Sequence, residues 1–127
     1  MSEQEQPKIG QICWQDLTVE NADEIRQFYS EVAGWKSEPV NMGQYEDFNM
    51  IAAGTGEAAA GICHAQGTNA NLPPQWLIYI AVEDADACAE RCKAEGGEII
   101  DGPRAMGEAR FCVIRDPAGA VAALISQ

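Results

Sequence analysis

Val19-Glu20-Asn21-Ala22-Asp23 and Val82-Glu83-Asp84-Ala85-Asp86, the pentapeptides VENAD and VEDAD, differ at one position and lie 63 residues apart. The match continues outward in character: at the same offset Leu17 falls on Ile80 and Gly34 on Gly97. A chance repeat of five letters would not keep its spacing in this way, so the chain is built from two units of similar layout.

Each unit opens with an apolar run rich in β-formers, ICWQDLTV at 12–19 and WLIYIAV at 76–82, which reads as a strand. A helix follows. In the first unit Asn21 is placed to cap it with Glu24 three residues on, Ile25, Phe28, Tyr29 and Val32 recur at helical spacing as its buried stripe, and Gly34 suits the left-handed stop. In the second, Asp84 caps, Gly97 stops, and Cys88 and Cys92 at i, i+4 point into the core as small hydrophobes. Three strand-like segments close each unit, WKSEPV, YEDFNMI and AAAGICHA in the first and EIID, ARFCVI and AVAALIS in the second, the last two joined by the turn DPAG. The expected architecture is α+β: one domain of two β-α-β-β-β modules, about 9–66 and 75–126, with a linker at about 67–74 that carries Pro73 and Pro74.

Composition limits the function. Eight basic against twenty acidic residues leave a net charge of −12 in 127 residues, which repels phosphate backbones and anionic lipid, so neither nucleic acid nor a membrane surface is an expected partner. The polar start MSEQEQPK has no apolar stretch of a secretion signal, no run is long enough to span a bilayer, and the five cysteines include no C-x-x-C pair. A cytoplasmic protein with reduced thiols is expected.

The string of W-x-D-L-T-V, FYSEVAGW, the second apolar run with VEDADA, and DPAG resembles the vicinal oxygen chelate superfamily, which holds glyoxalase I, bleomycin-resistance proteins and extradiol dioxygenases. The resemblance runs from about Ile9 to Ser126. It implies that the two modules form a cupped mixed sheet with the site inside the cup, and that a metal-dependent member draws ligands from the first and last strand of each module. Carried over residue by residue, those positions fall on Trp14, Leu77, Ala123 and a residue within 58–62, none with a carboxylate or imidazole. No metal and no other cofactor is therefore expected.

By strand parity Trp14, Asp16 and Thr18 share one face of the first strand, and Leu77, Tyr79 and Ala81 the matching face of the fifth. These residues line a small-molecule pocket, with Asp16 and Tyr79 orienting a polar group, or they fill the cup as ordinary core; both readings are open. His64, the lone histidine, falls on the face of Ile62 and is a candidate for structural hydrogen bonding or for ligand contact. Arg110 near the pocket mouth is read as a solvated charge. Two functions follow. One is a metal-independent protein that binds a small, partly apolar molecule through Trp14, Asp16, Thr18, His64, Leu77 and Tyr79. The other is a glyoxalase-, isomerase- or dioxygenase-type enzyme with a relocated or degenerate metal site. Open sheet edges and an incompletely covered cup point to a homodimer.

Overall fold

The computed structural model describes residues 8–127, which fall into two compact units. One is Trp14–Trp76; the other joins the residues up to Cys13 with Leu77–Gln127. In chain order the elements are β1 (Ile12–Val19), α1 (Ala22–Ala33), β2 (Lys36–Asn41), β3 (Glu46–Ile51), β4 (Ala58–His64), a single 3-10 turn (Gly67–Asn69), β5 (Trp76–Ala81), α2 (Ala85–Ala94), β6 (Glu98–Met106), β7 (Ala109–Arg115) and β8 (Val121–Ser126). The expected β-α-β-β-β pattern is present twice.

Each module has the same strand order. In the first it is β2-β3-β4-β1 and in the second β6-β7-β8-β5, with the opening and closing strands parallel and the others antiparallel. The registers also correspond: Leu17 faces Ile62 as Ile80 faces Leu124, and Phe48 pairs with Ile62 as Cys112 pairs with Leu124. The sequence offset therefore drifts from 63 in the first strands to 64 and then 62 in the later ones, which is why a fixed spacing blurs past the helix.

The helices form for local reasons that differ. Asp84 accepts from the Ala87 N–H at 3.1 Å, a true side-chain cap, whereas Asn21 makes no cap bond and its Nδ2 instead donates to Glu24 Oε1 at 3.5 Å. Gly34 ends α1 in the left-handed region at φ 78°, as its position implies. The second helix departs from expectation. Its left-handed glycine is Gly96 at φ 94°, while a Cβ on Gly97 would lie 2.5 Å from Cys92 Sγ and 2.9 Å from the Arg115 carbonyl. Gly97 is there because strand and helix pass too close for a side chain.

Each helix packs on one face of its own sheet. Ala22 of α1 joins Phe48, Met50 and Ile62, with Val19, Ile25, Tyr29, Trp35 and Trp76 around them. On α2, Ala89 joins Cys112 and Leu124, with Cys88 and the strand residues Ile80, Ile99 and Ile114. The expected stripe of α1 is only half used: Ile25 and Tyr29 pack inward, but Phe28 and Val32 remain 52% and 67% exposed. All five cysteines are free. Among the described residues no helix is long and apolar enough to cross a membrane.

Candidate functional site

With Val19 turned toward α1, strand alternation sends Trp14, Asp16 and Thr18 to the face that carries no helix. Asp16 pairs with Gly61 of β4, and Gly61 with Asn49 of β3, so Gly61, Cys63, Asn49 and Asp47 stand on that face too. Gly61 matters by what it omits. A Cβ there would meet Asp16 Cβ at 3.2 Å and the Trp14 indole at 3.7 Å, so the missing side chain lets the ring and the carboxylate lie close over the strand. Trp14, Asp16 and Cys63 are half-buried, and Thr18 and Asp47 are buried.

Cys63 gives this face its electrostatic character. Burial pushes its thiol far above the ordinary range, the charges of Asp16 and Asp47 push it further, and a hydrogen bond to Asp47 adds to both. The sulfur is therefore held as a neutral S–H at neutral pH. What the first module presents is an indole surface beside two carboxylates and a protonated thiol, able to hold an apolar body by stacking and a polar group by hydrogen bonds.

The matching face of the second module is closed. Leu77 and Tyr79 are 0% and 3% exposed, Phe111, Val113 and Ala123 are fully buried, and the Tyr79 ring stacks on Phe111 at 5.9 Å between centroids. Arg104 lies over the same Phe111 at 4.6 Å and forms a bidentate pair with Asp101. Arg110 is partly exposed and bound to Asp86 through Nε and a terminal nitrogen at 3.1 and 2.8 Å, the solvated charge that its position suggests. The structure thus groups Trp14, Asp16 and Thr18 on one face of the first module and buries Leu77 and Tyr79 on the matching face of the second.

His64 touches the first group only through Asp47. It shares the helix-bearing face with Ile62, buried between Asp47 (Nδ1 to Oδ1, 3.3 Å) and Asp23 of α1 (Nε2 to Oδ2, 3.6 Å), with the Tyr45 ring against it at 5.3 Å. Asp47 also accepts the His64 backbone N–H at 2.8 Å. One carboxylate thereby joins the ends of β3 and β4, and the imidazole ties both to the start of α1.

Ala123 pairs with Tyr79 as Gly61 pairs with Asp16, so the chelate positions that the resemblance would carry over fall on Trp14 and Gly61 in the first module and on Leu77 and Ala123 in the second. Indole, a bare Cα, isobutyl and methyl offer no donor, and the set does not fit a divalent ion. Among the described residues no three His, Cys, Asp or Glu side chains converge elsewhere to replace it. Gly61, Cys63 and Asp47 escape a reading by motif because their meaning lies in cross-strand register; alternation along β3 and β4 would reveal them once the pairing with β1 was fixed.

A family model described as the Glyoxalase/Bleomycin resistance protein/Dioxygenase superfamily matches residues 8–124. Among curated relatives, the "Putative glyoxylase CFP32" of Mycobacterium tuberculosis is 30% identical over 115 residues, covering 90% of this chain and 43% of the relative. The "Anthracycline biosynthesis protein DnrV" of Streptomyces peucetius is 29% identical over 131 residues, covering 91% and 46%. The chain thus spans less than half the length of these relatives. Among solved structures, a methylmalonyl-CoA epimerase in complex with methylmalonyl-CoA and NH4+ superposes with a TM-score of 0.56 at 17% identity, covering 94% of this chain and 96% of that one. A glyoxalase/bleomycin resistance protein/dioxygenase superfamily member from Vibrio splendidus 12B01 gives 0.58 at 12% identity, covering 90% and 97%. At these identities the structures share the fold alone.

Proposed function

We propose that this chain, which belongs to the glyoxalase/bleomycin resistance protein/dioxygenase superfamily, is a cytoplasmic, metal-independent binding protein for a small, partly apolar molecule, held on the helix-free face of its first module. What supports the reading is the side chains at the positions the family's chelate pattern would use: Trp14 and Gly61 in the first module and Leu77 and Ala123 in the second offer no metal donor. Trp14 supplies a stacking surface there and Asp16 a half-buried carboxylate, while Cys63, its S–H donated to Asp47, and the buried Thr18 and Asp47 back them. Leu77 and Tyr79 act as the packed interior of the second module, and His64 as the clasp behind the first. The working unit is a homodimer, to be read as twice the chain mass by light scattering at micromolar concentration.

Two measurements on the protein purified without chelator test this. Metal analysis after dialysis is expected to find well under one equivalent of Ni, Zn, Fe or Mn; a stoichiometric, dialysis-resistant ion overturns the proposal. A fluorescence-based ligand screen with the parent chain and Trp14→Ala is expected to find a binder whose affinity changes in the variant while stability falls only modestly. A loss of ~3–5 kcal/mol on removing the indole, the range for a packed core aromatic, with no binder found, means that the face is core.

A further inference from the structure

Helix α1 offers solvent more apolar surface than its module covers, and that surface borders a cleft on the opposite side of the sheet from Trp14. Leu17 and Val19 of β1 form its floor, Ile25, Phe28 and Tyr29 of α1 one wall, and the segment ending at Trp76 the other, enclosing about 310 Å³. That is the small end of the roughly 300–1,000 Å³ typical of ligand clefts. The floor residues alternate with Asp16 and Thr18 along one strand, so the thickness of the sheet separates this cleft from the face discussed above.

Its walls are aromatic and arranged by their own contacts. Phe28 meets Tyr29 edge to face at 5.1 Å, Tyr29 meets Trp76 in the same way at 5.4 Å, and the Trp76 indole N–H donates to the Tyr29 hydroxyl at 3.1 Å. Because that hydroxyl accepts from the indole, it keeps its own proton to give to a ligand atom. Among the described residues no Lys, Arg or His lines the cleft. Beyond Phe28 the neighbouring groove, which shares that ring, is bordered by Asp23, Glu24 and Glu31.

Aromatic faces with carboxylates along one side attract cations and disfavour anions, by the ring quadrupole and by simple charge. A second copy docked by this same patch would set those acidic residues against their own duplicates, which like-charge repulsion opposes. We propose that the cleft is a second binding site, specific for a planar aromatic base that is cationic at neutral pH, with its ring against Phe28 and Trp76 and its charge toward the acidic border.

Proflavine, a flat tricyclic cation, is the probe, with pyrene-1-sulfonate as the anionic counterpart, titrated into the full chain by fluorescence. Saturable binding of one proflavine per chain is expected, with negligible binding of the sulfonate. Phe28→Ser, at a half-exposed position, should weaken proflavine by roughly tenfold, the scale of one desolvated cation–π contact, with an unchanged denaturant melt showing that the fold is kept. Trp14→Ala, on the other face, should leave it unchanged, so this result stands or falls independently of the binding function proposed above. The proposal is overturned if the sulfonate binds as well as proflavine, if proflavine does not bind, or if binding ignores Phe28→Ser. It is equally overturned if Phe28→Ser converts a dimer to a monomer in light scattering, since the occupant would then be a second copy.

Discussion

A single cysteine distinguishes the two faces of the first module, and its protonation has consequences beyond binding. Cys63 and Cys112 both have thiols raised by burial, Cys112 to about 11 from an ordinary 9.0. An acid that is weaker in the folded state keeps its proton there while the unfolded chain loses it. The stability it contributes is full below pH 9 and declines as pH rises toward the folded value, at about 1.4 kcal/mol per pH unit for each thiol. Denaturant melts between pH 8 and 10.5 should show this decline, shallower by about one proton in Cys112→Ala; an unchanged slope in that variant would refute the assignment. The same Cys63 should resist iodoacetamide in the native state at pH 8. Close packing at Gly97 gives a further residue-level expectation: Gly97→Ala forces a methyl against a sulfur and a backbone carbonyl, and should cost ~1–3 kcal/mol in a thermal or denaturant melt.

Among the elements, the two helices occupy equivalent places and start differently. Asp84 satisfies a backbone N–H and Asn21 does not, so Asp84→Ala should cost about 1 kcal/mol and Asn21→Ala a few tenths at most, read from the same melts. Equal losses would mean that the cap geometry does not set helix stability here. The strands and both helices were legible in the sequence because each depends on local chemistry: alternation, capping residues, a glycine stop. Three features were not. The buried stripe of α1 was drawn too wide because periodicity tells which residues share a side but not how far the sheet beneath reaches, so Phe28 and Val32 lie outside it. Gly97 reads as a helix stop by position, whereas its requirement comes from Arg115, far away in the chain. And the grouping of Asp16, Asp47 and Cys63 depends on pairing among β1, β3 and β4, which no one segment encodes.

For the whole molecule, the duplication has kept topology and register while letting the two faces diverge. The first carries carboxylates and a half-buried indole; the second, at corresponding positions, has closed over Tyr79 and Phe111. Duplicated modules are free to diverge in this way because the hydrogen-bonded frame does not depend on what the side chains do. The outermost strands of the two sheets bear on a different property. Both β2 and β6 contain a proline, Pro39 and Pro103, together with charged residues, and β6 is further interrupted by register shifts. A strand lacking an N–H donor and crowded with charge is a poor template for a newcomer. Concentrated solutions should therefore stay free of fibrils, with no rise in thioflavin T signal on prolonged shaking, and opening the template with Pro39→Val should shorten the time to aggregation. A chain with nearly half its residues hydrophobic, and with eight strands among its described residues, thus has its protection against amyloid built into the prolines and charges of β2 and β6.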